Sequence, residues 1–233
     1  MNTAKRDTDL RRAADLVDGV VGDIFSTLRV GAQEAAELWS RTAADDGTVS
    51  IADLGDMRPL IESRLSTHPH FDGAGLVVDP AAVRGTTRYQ EWWRPTGDGN
   101  YAPLDVNTRL GGEPYDYTTM SWFVGAAQGR NSVRGPYVDL AGADLYILTF
   151  AVPAQHDGRF IGASAADVTV ADFESLLIAE LSSLETQLVV VNSADRVVIS
   201  NSPDHSPGER MRAASETDTR VGGAGVNWRV HCV

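Results

Sequence analysis

Apolar residues recur at a helical period through the N-terminal part of the chain. A stripe of nine side chains lies on one side of a helix with about 3.6 residues per turn: Leu10, Ala13, Val17, Val20, Ile24, Leu28, Ala32, Ala35 and Trp39. The pattern predicts one helix over residues 8–44, with Asp7 or Thr8 at its start. At 1.5 Å per residue the helix would be about 55 Å long. Such a helix either covers a sheet or pairs with a second copy of itself, and the pattern allows both.

Strand-like segments bounded by Gly, Pro and Asp occupy the middle of the chain. GAGLVVD from residue 73 and TTRYQEWWRP from residue 86 predict the first two strands. Because side chains alternate along a strand, Trp92 and Trp93 are expected on opposite faces. DLYILTFAVP from residue 144 and RFIGASAADV from residue 159 predict a hairpin that turns at Asp157–Gly158.

Shorter patterns fill the remainder of the chain. Ser50 and Asp53 have the spacing of a capping box, which predicts a short helix. Residues 170–184 have a helical period, residues 186–203 read as a second hairpin turning at Asn192–Asp195, and residues 226–233 as a last strand. The order of these elements predicts an α+β protein in three segments: a helical segment at 1–66, a sheet lobe at 67–183 and a truncated β-rich lobe at 184–233.

The stretch from Tyr115 to Asp167 concentrates aromatic rings and carboxylates. Tyr115, Thr118 or Thr119, and Trp122 would share one face of a helix. Asp139 and Asp167 end strand-like segments, where a carboxylate can face a pocket. The same residues also fit alternative, purely structural roles. The rings would then lie in the core, Asp139 would bond to the turn at Gly142, and Asp167 would cap the next helix.

This stretch resembles the Cache family of sensor domains, relatives of the PAS fold, and in particular double-Cache receptors that bind amino acids. The resemblance rests on Tyr115, the pair Trp122–Phe123, the Tyr-x-Asp of Tyr137 and Asp139, and Asp167. It implies a long N-terminal helix packed on a PAS-like antiparallel sheet lobe, then a reduced second β-rich lobe. It also implies a ligand pocket lined by Tyr115, Tyr117, Trp122, Phe123, Tyr137, Asp139 and Asp167.

One position departs from the resemblance. Those receptors carry an Arg five residues after the first Tyr, where its guanidinium holds a ligand carboxylate; this chain has Met120 there. Aromatic rings and carboxylates together bind cations, and each cation–π contact contributes about 0.5–2 kcal/mol. We therefore expect a small cationic ligand, namely an amine, a polyamine or a quaternary ammonium compound. A small amino acid would need another donor for its carboxylate, and Arg109, Arg130 and Arg134 are the candidates.

Composition excludes several other functions. A formal net charge of −12 argues against a nucleic-acid surface. The single cysteine, Cys232, allows no internal disulfide and no cysteine-based metal site. The sequence carries no nucleophile elbow, His-Glu-x-x-His pair or phosphate-binding glycine loop, so we expect neither an enzyme nor a cofactor. His68 and His70 could ligate zinc, but no third ligand lies near them in sequence, and we expect no metal.

The absence of output and targeting segments shapes the remaining expectations. No stretch approaches the ~20 apolar residues of a membrane span, and the acidic N-terminal residues do not form a signal peptide. We expect a soluble cytoplasmic protein, or an extracytoplasmic one if the chain is a piece of a receptor. Without a kinase, chemotaxis or DNA-binding segment, a signal would pass to a separate partner protein, and a homodimer could form through the long helix. The alternative is a Cache-fold interaction protein that binds no small molecule.

Overall fold

The computed structural model describes residues 3–104, 115–140, 144–211, 218–221 and 226–233. Its helices are α1 (Thr3–Thr42), α2 (Ile51–Leu54), α3 (Arg58–Thr67), α4 (Ser121–Ala127), α5 (Val170–Ser175) and α6 (Ile178–Ser182). Its strands are β1 (Val49–Ser50), β2 (Gly73–Val78), β3 (Val83–Arg84), β4 (Tyr89–Pro95), β5 (Tyr101–Pro103), β6 (Ser132–Val138), β7 (Tyr146–His156), β8 (Arg159–Thr169), β9 (Leu188–Val191), β10 (Val197–Ser200), β11 (Thr219–Arg220) and β12 (Arg229–Cys232).

Helix α1 buries its predicted apolar stripe against the sheets. Phe25 meets Phe150 of β7 edge to face, with ring centroids 5.8 Å apart. Near the N-terminal end of α1, the Asp9 carboxylate accepts hydrogen bonds from the backbone N–H and the hydroxyl of Thr186. These bonds connect α1 to the start of the C-terminal segment. The expected helix start at Asp7 or Thr8 is wrong, because the Thr8 hydroxyl donates to Ala4 O inside the helix.

Six antiparallel strands form the main sheet in the order β5-β4-β2-β8-β7-β6. The β7–β8 hairpin turns at Asp157 and Gly158, whose φ angles of 50° and 75° are those of a tight two-residue hairpin turn, so that prediction is confirmed. Trp93 packs in the core with α1. Trp92 packs on the opposite face, also as predicted.

A smaller four-stranded sheet follows in the order β10-β9-β12-β11. Its β9–β10 hairpin turns where predicted, since Asn192 N donates to Arg196 O and Asp195 has a φ of 55°. The predicted fold class is confirmed: an α+β protein with a long N-terminal helix on an antiparallel sheet and a reduced second β-rich part. The segment boundaries at residues 66 and 183 stay predictions.

Local caps decide where the short helices begin. The capping box before α2 is confirmed, because Ser50 N donates to Asp53 Oδ2 and Asp53 N donates to Ser50 Oγ. The single helix predicted for residues 170–184 is instead divided into α5 and α6 at Leu177, whose φ of −123° is not helical. Within the described ranges, none of the helices combines the length and apolar character that crossing a bilayer requires.

Close contact between β2 and β4 depends on Gly75. A Cβ at this position would lie 2.1 Å from Glu91 O and 2.9 Å from Trp92 Cα, so the backbone of β4 would have to move. We expect Gly75→Ala to lower the free energy of unfolding by about 1–3 kcal/mol in urea denaturation. Gly55→Ala is the matched control, because a Cβ there meets nothing within 4 Å and φ is −58°. Equal stability of the two variants would contradict this close packing.

Candidate ligand-binding site

Small side chains make room on the face of the main sheet that points away from α1. Ala151, Ala163 and Ala165 are fully buried beneath an aromatic layer contributed by α4 and the chain before it. Gly73 has the same effect, because a Cβ there would lie 2.6 Å from the indole nitrogen of Trp92. The indole of Trp92 can therefore approach the backbone at Gly73, and Trp92 lines a cavity on this face.

The cavity is small and has mixed chemistry. Its volume is about 30 Å³, which is close to the volume of one water molecule in the liquid. It is lined by Val77, Gln90, Trp92, Leu104, Tyr115, Trp122, Tyr137, Asp139, Thr149 and Asp167. None of these ten described residues is basic, and two are acidic.

Five of the seven residues predicted for the pocket meet in this cavity: Tyr115, Trp122, Tyr137, Asp139 and Asp167. The other two do not line it. The Tyr117 hydroxyl donates to Val78 O at 2.7 Å and accepts from Tyr89 N, which anchors the aromatic layer to the sheet. Phe123 is buried between Tyr117, Trp122 and Phe160. Both rings pack against residues that line the cavity, Tyr117 against Tyr115 and Phe123 against Trp122.

The aromatic segment is not the continuous helix that its spacing predicts. Asp116 Oδ1 accepts from Thr118 N and so caps a single 3₁₀ turn, Tyr117–Thr119. Met120 then adopts an extended backbone with ψ of 134°, and α4 begins one residue later. The break still lets Tyr115 and Trp122 face the same cavity.

Asp167 is a buried carboxyl group of the site, with 7% of its surface exposed. Its Oδ1 accepts a 2.6 Å hydrogen bond from the Thr149 hydroxyl, which is in turn 2.8 Å from the Tyr137 hydroxyl. Burial, with smaller contributions from Asp139 and Asp72, raises the pKa of Asp167 to about 8 despite the Thr149 hydrogen bond and the nearby Arg94. The alternative role as a helix cap is wrong, because Thr169 caps α5 by accepting from Asp172 N.

Asp139 follows β6 and lines the same cavity with only 8% of its surface exposed. Its backbone N–H donates to Leu145 O, and its carbonyl accepts from Asp144 N, so the residues just before β7 hold its backbone. Gly142, the predicted partner of its alternative role, lies outside the described residues. Two carboxyl groups therefore line the same cavity.

The tyrosines of the site are neutral at physiological pH. Burial, together with Asp139, raises the pKa of Tyr115 to about 12. Burial also raises the pKa of Tyr137, and Asp167 adds to the effect. Both phenols therefore serve as neutral hydrogen-bonding groups and aromatic walls.

The arginines proposed as replacements for Met120 occupy different places. The Arg134 guanidinium contacts Met120 Sδ and stacks on the Tyr137 ring at 4.3 Å from its centroid, outside the cavity lining. Arg130 contacts the Gln128 amide and lines a separate cleft beside the smaller sheet. Arg109 lies outside the described residues.

Sequence reasoning missed Thr149, Gln90, Val77 and Leu104, and it did not place Trp92 in the pocket. Thr149 is the cross-strand partner of Asp167 in the β7–β8 hairpin. Gln90, Trp92 and Val77 follow from alternation along β4 and β2 once the sheet face of Asp167 is known. The sequence alone did not show which face of the sheet Asp167 occupies.

The predicted His68 and His70 pair has structural contacts. His68 Nε2 is 3.0 Å from the Thr27 hydroxyl, and its ring stacks on Phe71. Among the described residues, no group of three or more His, Cys, Asp and Glu side chains is arranged to hold a metal ion.

The raised pKa of Asp167 makes the stability of the protein depend on pH. Between its unfolded value near 4 and about 8, the folded state keeps a proton that the unfolded state releases, so the free energy of unfolding falls as pH rises. The slope is at most about 1.4 kcal/mol per pH unit. We expect Asp167→Asn to remove this dependence in urea denaturation at a series of pH values. The exposed Asp45→Asn is the control, and an unchanged pH profile in the Asp167 variant would contradict the assignment.

Solved structures of chemoreceptor sensor domains have the same fold. The ligand-binding domain of the amino acid chemoreceptor PctB from Pseudomonas aeruginosa PAO1, in complex with L-Arg, is 17% identical with a TM-score of 0.63 and covers 97% of this chain and 91% of its own. The ligand-binding domain of the chemoreceptor CtaA from Pseudomonas fluorescens, in complex with L-serine, is 15% identical with a TM-score of 0.63 and covers 95% of this chain and 92% of its own. The sensory domain of the Campylobacter jejuni chemoreceptor Tlp3 is 14% identical with a TM-score of 0.57 and covers 87% of this chain and 75% of its own.

No curated protein matches the chain in sequence. A family model does, over residues 57–175, slightly more than half of the chain, and this range contains α3, the six strands of the main sheet and the whole cavity lining. The chain therefore belongs to the family of methyl-accepting chemotaxis protein-like first PDC sensor domains.

Proposed function

We propose that this sensor domain binds the ammonium group of a small amine in the cavity between Asp139 and Asp167. The observation that carries the proposal is the charge of the lining: two carboxylates and no basic side chain among the ten described lining residues. Burial disfavours the charged form of Asp167, and a ligand cation beside it would offset that cost. The aromatic rings of Tyr115, Trp122 and Tyr137 add cation–π attraction.

Cavity size narrows the class of amine. A volume of about 30 Å³ favours a small headgroup, and a primary ammonium group is the smallest of the cationic groups expected from the sequence. A quaternary ammonium group carries carbon on every side and would require the rings to move apart. Of the ligands expected from the sequence, primary amines and polyamines fit better than quaternary compounds.

The relatives support an amine-type headgroup. PctB and CtaA are described with L-Arg and L-serine, and each of these ligands carries an α-ammonium group. We propose that the chain is a double-Cache sensor that keeps the ammonium subsite, while Met120 replaces the carboxylate-holding Arg of the resemblance. The family consists of sensor domains, which supports a sensory role over an enzymatic one.

The response to the ligand would pass to a separate partner protein. Helix α1 contacts the main sheet through Phe25 and is hydrogen-bonded through Asp9 to Thr186, two residues before β9. It is therefore placed to respond to a change in either part. The homodimer through α1 and the cytoplasmic location stay predictions from the sequence.

A second candidate is a small amino acid as ligand. The supporting observation is that the Arg134 guanidinium lies against Met120 and Tyr137, beside the position of the missing Arg. A rotation of Arg134 toward the cavity would give a ligand carboxylate a partner. In its present place, Arg134 stacks on the outer face of the Tyr137 ring.

A panel of ligands in a thermal-shift assay tests the proposal. We expect primary amines and diamines to raise the Tm at about pH 8, and amino acids and organic acids to have smaller effects. Asp167→Asn should abolish the shift while the protein stays folded, because the amide keeps the shape and the Thr149 contact but removes the charge. Asp45→Asn should leave the shift unchanged.

Stabilisation by amino acids or organic acids alone would contradict the amine proposal. Arg134→Gln then separates the two candidates. A loss of amino acid binding in this variant supports the second candidate, whereas unchanged amine binding supports the first.

The affinity for amines should depend on pH through Asp167. Its pKa of about 8 keeps it protonated near neutral pH, and a bound ammonium group favours the ionised form, so binding releases a proton. Below about pH 8 the dissociation constant should fall by nearly tenfold per pH unit as pH rises, and level off above it. Isothermal titration calorimetry between about pH 6 and pH 9 measures this. A dissociation constant that does not change with pH would contradict the role of Asp167.

A further inference from the structure

A second, larger cleft lies where the main sheet meets the smaller sheet. Its walls are α4, the edge strand β6, the β9–β10 turn and the residues that precede β12. Two adjoining pockets of about 420 and 290 Å³ form the cleft, and Ser193 and residues 226–228 line both of them. Small-molecule sites have volumes of about 300–1,000 Å³, so the cleft has room for a whole small molecule.

The lining of this cleft is positively charged, although the chain has a formal net charge of −12. The described lining residues include no Asp or Glu, and they include four arginines: Arg130, Arg134, Arg220 and Arg229. Arg229 pairs with the Asp195 carboxylate. The other three form no ion pair with a residue in the described part of the chain. Because charge interactions weaken with distance and are screened by salt, these guanidinium groups dominate the field inside the cleft.

Two of these arginines have neutral partners. The Arg130 guanidinium donates to the side-chain oxygen of Gln128. The Arg134 guanidinium contacts Met120 Sδ and stacks on the ring of Tyr137, 4.3 Å from its centroid. Both side chains are therefore positioned by the protein, and both keep their charge for an anion in the cleft.

A side-chain hydrogen bond joins the two sides of the cleft. Asn192 Nδ2, from the β9–β10 turn, donates to Gly135 O of β6 at 2.7 Å. Asn192 Oδ1 accepts from the backbone N–H groups of Ala194 and Arg196, which fixes the orientation of the amide. The cleft is therefore formed before any ligand arrives, which lowers the entropic cost of binding.

The donors of the cleft suit a phosphate group better than a carboxylate. Arginine binds phosphate oxygens through two parallel N–H bonds. Hydroxyl and amide side chains add further donors to the lining: Ser121, Asn131, Ser132, Ser193 and Asn227. A phosphate monoester offers three acceptor oxygens and about 1.5–2 negative charges at pH 7, whereas a carboxylate offers two oxygens and a single charge.

We propose that this cleft is a second ligand site, separate from the cavity at Asp167, and that it binds a small phosphate monoester. Arg130 and Arg134 hold the phosphate group from the side of β6, and Arg220 adds positive charge from the side of the smaller sheet. The volume beyond one phosphate group accommodates the organic part of the ligand. The inference does not depend on the proposed amine function.

Isothermal titration calorimetry on the full chain at constant ionic strength tests the proposal with glycerol 3-phosphate, inorganic phosphate, glycerol and succinate. Glycerol 3-phosphate should bind most tightly, inorganic phosphate and succinate more weakly, and glycerol not at all. Arg130→Gln should weaken binding of glycerol 3-phosphate by about tenfold or more, the effect of losing a charge-assisted hydrogen bond. Arg29→Gln is the matched control, because Arg29 is also exposed with a neutral side-chain partner, Ser26, but lies outside the cleft lining.

Several results would overturn the proposal. They are no binding of glycerol 3-phosphate, equal affinity in Arg130→Gln and the wild-type protein, or an equal loss in Arg29→Gln. Succinate or inorganic phosphate bound more tightly than glycerol 3-phosphate would overturn the choice of a phosphate monoester.

The two sites can be tested separately in the same variants. Asp167→Asn should keep the affinity for glycerol 3-phosphate, and Arg130→Gln should keep the amine-induced shift in Tm. Loss of both ligands in either variant would contradict two separate sites. Failure of every amine to bind would overturn the proposed function and leave this inference standing.

Discussion

A carboxylate held in the middle of a sheet, away from water, is the constraint on which the site depends. Asp167 lies on β8 between β2 and β7, so hydrogen-bonded strands fix its backbone on both sides. Its own neutral partner, Thr149, gives a hydrogen bond but no charge. Burial therefore leaves a strong preference for either a proton or a ligand cation at this position.

Strand patterns and turn residues were enough to predict the frame of the site. The Asp157–Gly158 turn and the alternation at Trp92 and Trp93 were read correctly, because φ-permissive turn residues and a period of two are local properties. The register of the hairpin was not local. At the turn, His156 pairs with Arg159, and continuing that register without interruption would place Leu148 opposite Asp167. A bulge between Ala154 and Gln155 shifts the register by one residue, so that Thr149 lies opposite Asp167 instead. Gly162 stands beside the bulge, but a glycine inside a strand indicates a bulge or a close backbone approach equally well, so the sequence did not fix the register.

The aromatic segment shows the same division between local and tertiary information. Its residues were identified through the resemblance, and Tyr115, Trp122 and Tyr137 do face the cavity with Asp139 and Asp167. Tyr117 turns away because Val78 and Tyr89 offer its hydroxyl backbone partners on the sheet, and Phe123 follows it. Helical spacing could not anticipate the break at Met120. Asp116 caps only a single 3₁₀ turn, and this turn ends at Met120.

The most direct measurement is the titration of the Asp167 carboxyl group by ¹³C NMR, with and without a saturating primary amine. The account predicts a pKa near 8 in the free protein and a value lower by more than one unit in the complex, because the ammonium group stabilises the carboxylate. A pKa near the ordinary value of about 4 in the free protein, unchanged by the amine, would contradict the claim that burial keeps Asp167 protonated until a cation binds.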